Sequence, residues 1–211
     1  MATTSLFPKD FQKHKQLKEK INYLTDDARR KLQRFPYRYR FANSFYAIEA
    51  DIAIKNRTLI GYEAGMKVFL AYTCYEQIVY VANSLKIDGI SAKSFNEIIN
   101  NNITTKLHKN KSFMNMIKEA YELGCEEENK VSKPSTTLSI SLHKFLNNKS
   151  DDILCLAYAI RNLYAHGEFT GGGSGVTNNT TRKLFFEIAD ELLSYSNKIY
   201  SQCLNKLSTR R

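Results

Sequence analysis

The stretch IRNLYAHGEF, residues 160–169, brings together Arg161, Asn162 and His166 where an apolar run ends at a glycine. Histidine, with an ordinary pKa of about 6.5, serves as acid or base close to neutral pH. Arginine keeps its charge and offers a planar fork that matches phosphoryl oxygens. These groups suit the cleavage of RNA by its own 2′-hydroxyl. A base takes the hydroxyl proton, an acid protonates the leaving 5′-oxygen, and a cation steadies the crowded phosphate. One contact of that type, made in the transition state, is worth about 3 to 4 kcal/mol. The chemistry needs no metal, and no metal-ligand cluster or cofactor motif stands in the sequence, so none is expected.

These residues need a helix to position them. Ser150, Asp151 and Asp152 offer a cap and first-turn acids, so a helix is expected over 151 to about 166. With about 100° of turn per residue, Ile153, Leu156, Ile160 and Leu163 share the side facing the core. Arg161 then points about 120° from them and His166 about 100° away on the other side. Asn162 and His166, four apart, share a face, so the amide is placed to hold the imidazole, with Tyr158 one turn earlier. Cys155, Tyr158 and Ala159 make the outward side apolar too. A helix apolar all round wants cover on both sides. A homodimer that pairs this helix across a two-fold axis supplies that cover and carries two Arg161 and two His166 side chains toward one cleft. The plainer role, cations welcomed by a helix C-terminus, is worth only about 0.3 to 1 kcal/mol each. It explains neither Asn162 nor the apolar outer side.

The motif RNLYAH, with its flanking helix AYAIRNLYAHG and the closing amphipathic helix, resembles the R-x4-6-H signature of the HEPN superfamily (higher eukaryotes and prokaryotes nucleotide-binding). The first 60 or so residues share nothing recognisable with it. The resemblance implies an all-α, up-and-down helical bundle, usually dimeric. It also implies a metal-independent endoribonuclease of a toxin, antiphage or RNA-processing system, with Arg161 and His166 catalytic and Asn162 in support. RNA, a second copy of the chain, and an antitoxin or regulatory protein are the expected partners. HEPN toxins silenced by a nucleotidyltransferase often carry tyrosine two residues after the histidine. Here that position is Glu168, which argues against silencing of that kind. The alternative is a HEPN module that has lost cleavage and binds RNA, a nucleotide or a protein.

Composition sets the setting. The 211 residues suffice for one sizeable core, and 9 glycines and 3 prolines favour helices over a turn-rich β architecture. The formal net charge of +10 points to a polyanionic partner. Residues 1–40 hold 11 basic and 4 acidic side chains, so an excess of seven sits there. This basic segment is a third route to RNA, with Tyr37, Arg38, Tyr39 and Arg40 able to stack on and neutralise it, although a half-buried segment is the commoner meaning of such alternation. Cys74, Cys125, Cys155 and Cys203 show no paired spacing and read as buried thiols in a reducing compartment. Nothing resembles a signal peptide or approaches the roughly 18 apolar residues that span a bilayer, so a cytoplasmic protein without membrane contact is expected.

Along the chain, Pro8 opens one helix and Thr25 caps a second that is expected to stop before Pro36. Residues 62–85 read as a central helix covered on more than one side. Ser94 and Glu97 suggest a capping box for a short helix to about Asn102, and Lys111 to Leu123 a further helix ended by Gly124. Residues 125–137 read as an exposed loop with a solvated glutamate patch. Gly171 to Gly175 reads as a flexible connection, and Thr181 to Leu207 as a closing helix. His14, His108 and His143 are expected at the surface. Together these elements are expected to form one globular domain: residues 1–60 as a basic helical extension packed on a bundle of 61–211.

Overall fold

The computed structural model describes residues 6–49, 55–97, 101–130, 142–147, 152–165, 176 and 178–209, and within them leaves aside the side chains of 92, 101, 102, 120 and 122–130. The described residues form helices and connecting turns, with no strand among them, so the chain is all-α. In order the helices are α1 (Phe11–Gln16), α2 (Lys18–Ile21), α3 (Asp26–Ser44), α4 (Asn56–Ser84), α5 (Ala92–Asn96), α6 (Asn101–Lys109), α7 (Lys111–Lys130), α8 (142–146), α9 (Ile153–Ala165) and α10 (Asn179–Thr209). No helix among the described residues is long and apolar enough to cross a membrane.

Local chemistry accounts for several boundaries. The Thr25 hydroxyl accepts from the Ala28 N–H at 3.4 Å and starts α3, while Asp26 and Asp27 sit in the first turn, each paired with the arginine three residues on. Asn110 caps α7 by accepting from the Phe113 N–H at 3.0 Å. Asn178 caps α10 by accepting from the Thr181 N–H at 2.9 Å. The α10 stripe of Leu184, Ile188, Leu192, Tyr195, Ile199, Cys203 and Leu207 is buried along its whole length, as a period of 3.6 requires.

Three expected boundaries move. Helix α3 runs through Pro36. A proline inside a helix removes one hydrogen bond and costs about 3 kcal/mol. Phe35, Tyr39 and Ala42 lie on either side of it and are all buried; each large side chain so buried returns about 1.5–3 kcal/mol. Helix α7 runs through Gly124 to Lys130, where one glycine costs about 1 kcal/mol among the strong helix formers Glu126, Glu127, Glu128 and Lys130. The segment from 125 therefore begins as helix, and residues 131–137 lie outside the described residues. Ser91, in place of Ser94, caps α5, its hydroxyl accepting from the Ser94 N–H at 3.1 Å.

The chain divides into two compact units, Met1–Phe45 with Leu70–Ser94 and Asp190–Arg211, and Tyr46–Phe69 with Phe95–Ala189. In the first, Phe35 stacks on Tyr200 with centroids 4.8 Å apart, and Tyr75 on Tyr195 at 6.1 Å. The N-terminal helices are tied to α10 there. The Lys9 N–H donates to Asn197 Oδ1 at 3.1 Å, and Lys20 Nζ to the Ser208 carbonyl at 2.8 Å.

In the second unit α6 and α9 both pack on α7, Phe113 meets Phe185 edge to face at 5.6 Å, and His108 stacks on Phe145 at 4.3 Å. Arg182 donates from Nε to Glu63 Oε2 at 2.7 Å. Its guanidinium lies over Phe186 at 4.3 Å and over Tyr46 at 5.0 Å, and it also donates to the Tyr46 carbonyl. Glu63 Oε1 accepts from the Ile48 N–H at 3.2 Å. This arginine thereby fixes the start of α10 against α4 and the segment before it.

Candidate functional site

Helix α9 carries the arginine and the asparagine. Its first turn is capped by Asp152, whose Oδ1 accepts from the Cys155 N–H at 3.0 Å and from Asn96 Nδ2 at 3.2 Å. The cap is thus held from α5 as well as from its own helix. Ser150 and Asp151, the other candidate caps, lie outside the described residues.

Ile153, Leu156 and Ile160 are fully buried, as expected, and Leu154, Ala157 and Ala159 are buried as well. Leu163 is half-buried. The buried arc is wider than the expected stripe, and it takes in Ala159, which had been placed on the outer side. Cys155 is half-buried and Tyr158 is 36% exposed. On α9 before its last turn, Tyr158 is thus the most exposed of the described side chains.

Arg161 and Asn162 are both half-buried and in contact. Arg161 Nη1 donates to Asn162 Oδ1 at 2.8 Å. The asparagine expected to hold the imidazole thus has its carbonyl oxygen engaged by the guanidinium. A hydrogen bond to a charged donor is among the stronger kinds, and it restrains an otherwise rotamer-rich side chain. One turn on, Tyr164 packs its ring 5.5 Å from that of Phe69 on α4. Burial pushes its phenol pKa up, with a smaller contribution from Tyr62. His166 and the glycine-rich segment 171–175 lie outside the described residues.

The other expected features separate. On α3, Tyr37, Arg38 and Arg40 are exposed and Tyr39 is buried, as in a half-buried helical segment. Cys74 and Cys203 are buried, and burial pushes both thiols up to about 12. Cys155 is half-buried, and the side chain of Cys125 lies outside those described. Among the described residues no three His, Cys, Asp or Glu side chains gather as metal ligands would.

His14 departs from the surface position expected of it. It is 9% exposed, and it lines a cavity of about 480 Å³ in the first unit together with Lys15, Lys18, Asn22, Gln33 and Tyr37. The signal lay in the spacing. Phe11, His14, Lys18 and Ile21 recur at steps of three and four, and so share one side of the N-terminal helices. Compared with family models, curated proteins and solved structures, the chain matches none.

Proposed function

We propose that this chain is a HEPN-type, metal-independent endoribonuclease acting as a homodimer in a toxin or antiphage role. The observation that carries this reading is the contact between Arg161 and Asn162 on the last turns of α9, the helix that also carries the partly exposed Tyr158. In this reading the up-and-down bundle buries one side of α9 and the second copy covers Tyr158. The asparagine carbonyl aims the guanidinium at the phosphate, and the asparagine Nδ2 donates to the His166 ring. One imidazole takes the 2′-hydroxyl proton while the partner's imidazole returns one to the 5′-oxygen, giving a 2′,3′-cyclic phosphate and a 5′-hydroxyl.

The test is incubation of the purified protein with RNA in EDTA. Cutting with 2′,3′-cyclic phosphate ends is expected, and loss of cutting in His166→Ala and in Arg161→Ala with the dimer retained in light scattering. Asn162→Ala is expected to slow cutting up to about 100-fold, the cost of a slightly misplaced catalytic group. A protein that is monomeric at all concentrations and leaves RNA intact overturns the reading.

A further inference from the structure

The two compact units share the charge of the chain unequally. Residues 1–45, 70–94 and 190–211, which form the first unit, hold 17 basic and 8 acidic residues, an excess of nine in a chain whose net charge is +10. Helix α3 concentrates that excess. Between Asp27 and Glu49 the sequence has six basic residues and no acidic one. At about 100° per residue, Arg30, Arg34, Tyr37, Arg38 and Phe41 fall within about 100° of the helix circumference, and all five are exposed. The opposite side, with Ala28, Leu32, Phe35, Tyr39 and Ala42, is buried.

Two features separate this strip from an ordinary solvated helix face. Such a face pairs opposite charges at steps of three and four. Here Asp27 takes Arg30, and no carboxylate among the described residues pairs with Arg34, Arg38 or Arg40. Arg34 and Arg38 stand four apart, a like-charge spacing that destabilises a helix by about 0.2–0.5 kcal/mol and that a polyanion along the strip would relieve. The second feature is aromatic. Tyr37 is 63% and Phe41 60% exposed, so two large rings one turn apart stand among the arginines. Phe7 and Phe11 meet the Tyr37 ring edge-on at 6.1 and 6.2 Å, which fixes it in advance of any ligand and lowers the entropy lost on binding. A featureless polyanion gains nothing from the rings, and a duplex keeps the faces of its bases stacked inside. A bilayer takes a helix by its apolar side, and that side of α3 is in the core. A single strand of nucleic acid uses both features, its phosphates on the arginines and its unstacked bases on the rings.

We propose that the exposed strip of α3 binds single-stranded nucleic acid, with Tyr37 and Phe41 each stacking on a base and Arg34 and Arg38 holding the phosphates between them. The strip lies in a different chain segment and a different compact unit from Arg161 and Asn162. It does not rest on the cleavage reading: a chain that binds a strand here and never cuts it keeps this surface and loses that activity.

The experiment uses the full-length His166→Ala protein, so that any cleavage does not consume the probe. Binding of a fluorescein-labelled single-stranded RNA of mixed sequence is followed by anisotropy over a series of salt concentrations. Duplex RNA of the same length and vesicles of equimolar phosphatidylcholine and phosphatidylserine serve as comparators. Saturable binding of the single strand is expected. Tyr37→Ala and Phe41→Ala are each expected to weaken it about 5- to 100-fold, the range for loss of one stacked base, with the salt dependence unchanged. Arg34→Ala with Arg38→Ala is expected to lower the slope of log affinity against log salt by about 0.7 for each arginine removed. Circular dichroism melting checks the fold of every variant, and Phe41→Ala, at a position 60% exposed, carries the ring test if Tyr37→Ala melts lower. Binding that responds to the arginines and to neither ring overturns the proposal, since it reduces the strip to a patch of positive charge. Duplex bound as tightly as the single strand, vesicles bound where RNA is not, or no binding at all overturns it as well.

Discussion

The rings of His14 and Tyr200 stack with centroids 5.9 Å apart and planes 21° from parallel. Neither the His14 Nδ1 nor the Tyr200 hydroxyl finds a hydrogen-bond partner among the described residues. Desolvation lowers the His14 pKa and raises that of Tyr200. Both rings are therefore neutral at pH 7, and each keeps a polar atom that the fold itself leaves unmatched.

For His14 the sign follows directly. Its folded pKa lies below the ordinary 6.5, so between those two values the unfolded chain binds more protons and stability rises with pH. The stabilisation is complete above the ordinary value and is lost as the pH falls through it. His14→Phe keeps a ring against Tyr200 and removes the unmatched nitrogen, whose burial costs about 1–3 kcal/mol. The variant is expected to melt no lower than the wild type at pH 7 and to show a flatter dependence of melting temperature on pH between 7 and 5. A variant that melts lower at pH 7 with the same pH slope as the wild type rules this out.

The pair Glu63 and Arg182 gives a second prediction. Their side chains are 12% and 16% exposed, and Glu63 also accepts from the Ile48 N–H. Glu63→Ala strands a guanidinium and an amide hydrogen together, at a cost of about 3 kcal/mol. Glu63→Met with Arg182→Met is expected to lose less than the sum of the two single changes, with a coupling of about 1–3 kcal/mol in urea unfolding. Additive losses would show that the pair is not coupled.

Expectations from local pattern held wherever one helix face settles the matter. The α10 stripe from Leu184 to Leu207 is such a case, since burial of one side is the property that a 3.6-residue period encodes. Local pattern misled at Pro36, because the cost of a helix breaker is a local quantity and the burial that outweighs it, of Phe35 beside Tyr200, comes from distant chain. His14 was obscured in the same way. Lys13 and Lys15 flank it and mask the spacing from Phe11 to Ile21, and the stack on Tyr200 shows that one side of that turn faces inward. At the candidate site, the adjacency of Arg161 and Asn162 could be read from order alone. The direction of their hydrogen bond could not, since Asn162 had an equally good claim on His166 four residues away.

Asp152 should be separable from the neighbouring cap candidates. Asp152→Ala removes the acceptor for the Cys155 N–H and for Asn96, costing about 1 kcal/mol, which in a chain of this size lowers the melting temperature by about 2–4 °C. Asp152→Asn, which keeps an acceptor oxygen, is expected to lose less than half of that. Equal losses in the two variants would assign the effect to charge and not to the cap.

The thiols give a test that needs no mutation. Cys74 and Cys203 are buried and pushed up to about 12, so at pH 8 each is almost wholly protonated and shielded, and the thiolate is the reactive form. Iodoacetamide followed by peptide mapping is expected to label Cys155 before either of these two, which react only as urea unfolds the chain. Labelling of Cys203 at the rate of Cys155 in the native protein would contradict its burial. If the proposed dimer covers α9, Cys155 labelling is also expected to slow as protein concentration rises.

The first unit is assembled from residues 1–45, 70–94 and 190–211, and its N-terminal helices are tied to Asn197 and Ser208. During synthesis at about 5–20 residues per second, the first helices therefore wait roughly 10 to 30 s for the strand of chain that completes their core. Over that interval the aromatic side of α1 to α3 is open to chaperones and to other nascent copies. Expression yield should accordingly respond more to growth temperature and translation speed than the melting temperature of the finished protein would suggest.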